Sequence, residues 1–123
     1  MATSLLDTGL TAVISGKVDA SSGTDAVLTT TDGAASMSRA AAGEYTITFG
    51  QNFNSAPVVV ATPVISIGTA TASTDVVVCS LESVTVSDFT IQLLDVVGGT
   101  DATDGVQSDA ADFHFIVIGS RNR

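Results

Sequence analysis

Few side chains in this sequence could do acid–base or metal chemistry. His114 is the only histidine among 123 residues, and Cys79 is the only cysteine. A single histidine excludes a multi-histidine metal site, and any catalytic triad would have to be built around this one residue. Cys79 ends the apolar run from Val76, which favours a buried hydrophobic side chain over a reactive thiol, and no base adjoins it in sequence to activate it. We expect neither residue to be catalytic.

The densest group of carboxylates lies near the C-terminus, at Asp101, Asp104, Asp109 and Asp112. These oxygens could bind calcium, but the spacing of acids in an EF-hand and its final glutamate are absent, which favours a solvated acidic loop. The sequence also lacks a nucleophile elbow, a phosphate-binding glycine loop and a Cys-x-x-Cys pair. We therefore predict no catalytic residue, no metal site and no cofactor. An enzyme would need aspartates that only the fold brings together.

The charge balance argues against two classes of partner. Thirteen acidic residues against four basic ones give a formal net charge of -9, which would repel nucleic acid and anionic membranes. The longest mainly apolar run, 56–65, is about half of the ~20 residues that a membrane helix needs, and Pro57 and Pro63 interrupt it. We expect neither a nucleic-acid nor a membrane partner.

The elements that position these residues should be strands. Val, Ile and Thr dominate, and no segment shows a helical stripe. Short β-rich segments alternate with clusters of Gly, Asp, Asn and Ser, as in antiparallel sandwiches. The expected strands are 10–18, 26–31, 35–39, 44–49, 58–65, 75–81, 84–86, 89–94 and 113–118. The sequence predicts an all-β, antiparallel β-sandwich or jelly-roll-like single domain over 10–123.

Three of these segments are apolar on both faces, at 58–61, 76–79 and 113–118. In a two-layer antiparallel fold each sheet turns one face outward, so such strands need a second cover. A neighbouring subunit is the simplest cover. We therefore predict a homo-oligomer whose interface includes Phe113 and Phe115.

The N-terminal segment 1–9 precedes the first alternating strand. Leu5, Leu6 and Leu10 are apolar but do not alternate, and each would forgo about 1.5–3 kcal/mol of burial free energy in water. One interpretation is an arm that contacts a partner through these leucines. The other is that Leu10 opens the first strand while Leu5 and Leu6 pack beneath it.

Aromatic residues that could stack on a sugar are scarce. There is no tryptophan, and the single tyrosine, Tyr45, lies in an alternating strand. Phe53, within the loop 51–54, is the one ring with a plausible exposed position. Its other interpretation is a plug that covers the end of the sandwich.

Several segments carry a pattern of spaced aromatic and apolar residues, G-x-Y-x-I-x-F, then F, then P-V-V, then V-x-x-F-x-I and finally F-x-F-x-x-I-G. They lie at 43–49, 53, 56–63, 84–91 and 112–119. This pattern resembles a recurring module of tailed-phage virion proteins and spans roughly residues 39 to 119. The resemblance implies a trimer-forming sandwich of the kind found in capsid decoration proteins, head fibres, tail-fibre tips and H-type lectins.

Two departures from that module bear on function. The residues before it show no repeat of the kind that forms a fibre shaft, and the aromatic residues of a sugar-binding tip are nearly absent. We therefore expect a decoration or cement protein on the outer surface of a phage head, a trimer bound to the major capsid protein of the shell. The alternative is a receptor-binding or glycan-binding tail-fibre tip.

Overall fold

The computed structural model describes residues 10–20, 25–64, 77–95, 106–107 and 111–121, which contain nine β-strands. The strands are β1 (Leu10–Asp19), β2 (Val27–Thr30), β3 (Ala35–Ala41), β4 (Glu44–Phe49), β5 (Val58–Val64), β6 (Val77–Val84), β7 (Asp88–Asp95), β8 (Val106–Gln107) and β9 (Asp112–Arg121). A 3₁₀ turn, Thr31–Gly33, follows β2. The described ranges hold no helix with the length and apolar character of a membrane span.

The strands form two antiparallel sheets. Sheet A has the order β2-β1-β9-β5, and sheet B has the order β3-β4-β7-β6, with β8 paired to β7. β9 lies between β1 and β5, so the last described strand is central to sheet A. The prediction of an all-β antiparallel sandwich is confirmed.

Alternation along the strands sends one set of side chains into the space between the sheets. On β4 and β7, Tyr45 lies opposite Ile91 and Ile47 lies opposite Phe89, and all four are fully buried. The buried aromatic rings then contact one another across the sandwich. The ring centroids of Tyr45 and Phe113 are 5.7 Å apart, and those of Phe89 and Phe115 are 5.2 Å apart in an edge-on arrangement. These aromatic pairs connect the two sheets.

Phe53 covers one end of the sandwich. Its ring is only 3% exposed and lies edge-on to Phe49, with 4.9 Å between the centroids. The guanidinium carbon of Arg121 lies 4.4 Å from the centroid of the Phe53 ring, and Arg121 Nη2 donates a hydrogen bond to the carbonyl of Gln51 at 2.8 Å. A side chain at Gly119 would collide with the Phe53 ring. The plug interpretation is confirmed, and the exposed-ring interpretation is wrong.

The sequence prediction split β6 into two strands, and this is wrong. It predicted strands at 75–81 and 84–86, whereas one strand runs from Val77 to Val84 with a bulge between Leu81 and Ser83. Thr85 then makes a turn: its N–H donates to the Asp88 carbonyl at 2.8 Å, and its Oγ1 accepts from the Asp88 N–H at 3.1 Å. A threonine hydroxyl that bonds to the nearby backbone competes with strand pairing, although the residue type itself favours strands.

Candidate functional site

His114 lies in the middle of β9 on the outer face of sheet A. It is exposed, and its neighbours in register are Lys17 on β1 and Thr62 on β5. A general base needs a hydrogen-bond partner that orients the imidazole. Within the described residues, no hydrogen bond or ion pair of His114 is present, and no three His, Cys, Asp or Glu residues come together as a metal site.

Cys79 lies on β6 in register with Leu93, which is fully buried, and its own side chain is half-buried. Burial raises the pKa of the Cys79 thiol from 9.0 to about 11, because a buried thiolate loses its hydration. The thiol is therefore almost entirely protonated at neutral pH and is a poor nucleophile.

The acidic cluster is described only in part. Asp112 begins β9, half-buried, whereas Asp101, Asp104 and Asp109 lie outside the described residues. The interpretation of this cluster as a solvated loop therefore stays a prediction.

The outer face of sheet A carries a patch of exposed aliphatic side chains. Val13, Ile118 and Val58 lie side by side across β1, β9 and β5, and Ile116 and Val60 are paired in the next row. Their exposed fractions are 58%, 46%, 65%, 47% and 63% in that order. We call these five residues the apolar patch.

The rows on either side of the apolar patch are polar. Thr11 and Ser120 are paired beyond Val13 and Ile118, and Lys17, His114 and Thr62 form the row beyond Ile116 and Val60. An apolar centre with a polar border is the usual composition of a protein contact surface.

The outer face of sheet B is different in kind. The hydroxyls of Thr46 and Thr90 are hydrogen bonded to each other at 3.1 Å, and Gln92 Nε2 donates to Glu82 Oε2 at 3.1 Å. Short polar side chains occupy most of this face: Ser36, Ser38, Thr46, Thr48, Ser80, Thr90 and Gln92. Both sheets share one core. Sheet B turns Val78, which is 44% exposed, and the half-buried Leu94 outward, whereas sheet A turns five exposed aliphatic side chains outward in two adjacent rows. This contrast marks the apolar patch as a surface suited to a partner and not to water.

The structure places the predicted interface residues as follows. Phe113 and Phe115 are 0% and 2% exposed and fill the core, so they are not surface residues that could contact another subunit, as was predicted. The outward face of that strand carries Ile116 and Ile118 instead. Leu10 begins β1 and is 49% exposed, while Leu5 and Leu6 lie outside the described residues.

Among the described residues, the hollows on the outer face of sheet A are open to solvent, and one of about 390 Å³ adjoins Ile116 of the apolar patch. A hollow of about 100 Å³ lies between Val60, Thr62, His114 and Ile116, which is small beside the ~300–1,000 Å³ of typical ligand pockets. Two larger hollows, of about 390 and 450 Å³, adjoin Lys17, Thr29 and His114 and are open to solvent. Neither encloses a ligand on most sides, so the face presents a surface and not a pocket.

No protein-family model, curated protein sequence or solved structure matches this chain. The function has to be inferred from the fold, the surfaces and the residues of the chain.

Proposed function

We propose that this protein is a structural component of a tailed-phage virion, a decoration protein on the outer surface of the head. It acts as a homo-oligomer, a trimer by the resemblance given above, and attaches to the major capsid protein. The apolar patch carries the proposal, because five half-exposed aliphatic side chains in two adjacent rows are typical of a surface that another protein covers.

The chemical properties of the described residues support a structural role over a catalytic one. His114 is exposed with no orienting partner among the described residues, and the Cys79 thiol is protonated at neutral pH. Neither residue has what an activated base or nucleophile needs. A binding or structural function needs only surfaces, and the outer face of sheet A supplies one.

The virion assignment draws on the resemblance to the phage module. The aromatic positions of its pattern lie inside the sandwich here: Tyr45, Phe49, Phe53, Phe89, Phe113 and Phe115 are all buried. The pattern therefore describes the residues that connect the two sheets. It supports the shared sandwich, and capsid decoration proteins are one of the classes in which the module recurs, beside head fibres and tail-fibre tips.

The rival proposal is a glycan-binding fibre tip. The aromatic residue on which it mainly rests, Phe53, is buried and cannot stack on a sugar. Sugar rings stack on exposed aromatic faces, and the six aromatic residues of the chain are all among the described residues and at most 4% exposed. Phe53, the one candidate for stacking, packs beneath Arg121. No observation in the described part of the chain favours the tip, so the decoration protein is the proposal we retain.

The test is the copy number of this chain in purified particles. Quantitative mass spectrometry would compare its peptides with those of the major capsid protein and of a tail-tip protein, which serve as internal standards. A copy number comparable with that of the major capsid protein supports decoration. A copy number comparable with that of the tail-tip protein, or absence from the particles, refutes it.

A further inference from the structure

We infer that the protein covering the apolar patch presents a carboxylate next to an aliphatic side chain, and that Lys17 and His114 bind this carboxylate. We call these two residues the basic pair. The inference rests on the proposed function and deepens it, because it assigns the chemistry of the capsid surface to which this chain attaches. The charge of the basic pair and the hollows around it each favour such a partner.

The basic pair has no acidic partner in the described part of the chain. Lys17 and His114 are neighbours in register across β1 and β9, and both are exposed on the outer face of sheet A. Of the other described basic residues, Arg121 donates to a backbone carbonyl, and Arg39 also has an interaction. Neither member of the basic pair has a hydrogen bond or an ion pair with a described residue. An ammonium that is free on a contact face can bind a carboxylate from a partner.

Two carboxylates of the chain lie in the row beyond the basic pair, on the side away from the apolar patch. Asp19 and Asp112 each already have an interaction within the chain. Outward residues that are two positions apart on a strand are separated by about 6.6 Å. A carboxylate bound midway between the basic pair and Ile116 is therefore roughly 10 Å from these two acids, about one Debye length at 0.1 M salt. At that distance their repulsion is weaker than the attraction of Lys17.

Two hollows beside the basic pair differ in polarity. The first measures about 390 Å³ and is open to solvent, and its polar border is formed by Ser15, Lys17, Thr29, Thr31 and His114. The hydroxyls of Ser15 and Thr31 are hydrogen bonded to each other at 2.7 Å, so they form one wall of this hollow. The second hollow measures about 100 Å³ and lies between Val60, Thr62, His114 and Ile116. The first suits an acidic side chain, and the second suits one small aliphatic side chain.

The spacing of the hollows matches an extended segment. The first hollow lies over β1, with β2 and β9 on its sides, and the second lies between β9 and β5. Because strands are ~4.8 Å apart, the centres of the hollows are separated by about one and a half strand spacings, roughly 7 Å. Side chains at positions i and i+2 of an extended segment point the same way and lie ~6.6 Å apart. An acidic and an aliphatic residue two positions apart therefore reach both hollows at once.

Other partners fit the basic pair less well. A basic side chain placed in the first hollow would meet the ammonium of Lys17, and like charges at a contact are unfavourable. A second copy that met this face with the same face would bring Lys17 against Lys17. The carboxylate therefore has to come from a different kind of surface.

The experiment measures binding of the purified full-length chain to purified shells that lack this protein, by co-sedimentation over a range of chain concentrations. Lys17→Gln removes the ammonium and keeps a polar side chain. Ser38→Glu is the matched control, because each change adds one negative unit to the net charge of -9, and Ser38 is exposed on β3, the edge strand of sheet B. We expect Lys17→Gln to weaken binding about 10-fold or more and Ser38→Glu to stay within about 2-fold of the wild type.

Salt and a conservative variant separate a charge contact from a loss of structure. The wild-type affinity should fall as salt rises from about 0.05 M to about 0.5 M, and Lys17→Gln should respond less, because it lacks the screened charge. Lys17→Arg keeps the charge and should bind within about 3-fold of the wild type. All three variants should keep the wild-type far-UV circular dichroism spectrum.

Three outcomes would overturn the inference. If Lys17→Gln binds the shells as tightly as Ser38→Glu does, the basic pair binds no carboxylate, while the proposed function stands because the wild type still attaches. If the wild type does not bind the shells, the inference fails with the attachment on which it rests, and the copy number in particles decides the proposed function separately. If light scattering shows that the wild type self-associates and that Lys17→Gln abolishes this association, a second copy supplies the carboxylate and the capsid protein does not.

Discussion

Phe53 separates the two functions that the sequence leaves open, and Phe53→Ala tests the difference. The ring packs edge-on against Phe49 and beneath the guanidinium of Arg121, at the end of the sandwich. A ring in this position stabilises the fold. A ring that stacks on a sugar has to be exposed, and its removal would leave stability unchanged.

The expected loss of stability follows from the burial of this ring. Removing a buried phenylalanine side chain costs about 3–5 kcal/mol, and the contact with a cationic guanidinium adds about 0.5–1 kcal/mol where water still reaches the pair. Gln51 and Asn54 beside it are exposed, so the loop can partly collapse into the space. We therefore expect a loss near 3 kcal/mol, which lowers the melting temperature of a domain of this size by roughly 10 °C.

The measurement is thermal and urea unfolding of Phe53→Ala and Phe53→Leu against the wild type. Phe53→Leu should retain most of the stability, with a loss below about 1.5 kcal/mol, because leucine fills much of the same volume. Gln51→Ala is the control, since Arg121 bonds to the Gln51 backbone carbonyl and not to its side chain, and it should stay within about 0.5 kcal/mol of the wild type. If Phe53→Ala melts within about 2 °C of the wild type, Phe53 does not stabilise the end of the sandwich, and it becomes a candidate for glycan binding again.

Three further predictions concern the core. Gly16→Ala should lower the free energy of unfolding by about 1–3 kcal/mol, because the added methyl group would overlap the Phe115 ring, and an unchanged urea midpoint would contradict this packing. Cys79 should react with iodoacetamide at neutral pH about 100-fold more slowly than an unperturbed thiol, since a pKa raised from 9.0 to about 11 lowers the thiolate fraction by that factor. The urea-unfolded protein is the reference, and equal rates would be inconsistent with burial. Tyr45→Phe should cost about 0.5–1.5 kcal/mol, because the Tyr45 hydroxyl donates to the buried carbonyl of Ala20 at 3.3 Å, and a variant as stable as the wild type would show that this bond contributes nothing.

The strands could be located from the sequence where alternation and turn residues agree. β4 runs from Glu44 to Phe49 as predicted, because its apolar residues alternate with threonines and glycines bracket it. Gly43 has a φ of 71°, a left-handed conformation that glycine adopts at little cost, and it fixes the start of the strand. At Val84–Val86 three β-branched residues predict a strand, but the hydrogen bonds of Thr85 make a turn. Propensity alone could not separate these outcomes.

The pairing of the strands could not be predicted from the sequence. β1 and β9 are neighbours in register from Leu10 with Arg121 to Val18 with Phe113, although they lie at opposite ends of the described chain. Alternation tells which side chains share a face, but any two alternating strands satisfy the same rule. The rows of the apolar patch exist only because β9 lies between β1 and β5. The sequence therefore led to the prediction of a partner, but it could not indicate which residues form an exposed apolar surface.

On β9 the residues predicted to lie at an interface are on the buried face of the strand. Phe113, Phe115 and Val117 share one side of this strand, while His114, Ile116 and Ile118 share the other, so apart from His114 hydrophobicity does not distinguish the two sides. Volume does, because packed sheets lie about 10 Å apart, and aromatic rings span that gap better than isoleucines. The rings therefore face inward. On β4 and β7 the outward positions are mostly threonines and glutamine, which are suited to a face in contact with water. On β9, a central strand of sheet A, two of the outward positions are isoleucines. Aliphatic side chains at outward positions that the core does not use are the physical reason for proposing that another protein covers this face.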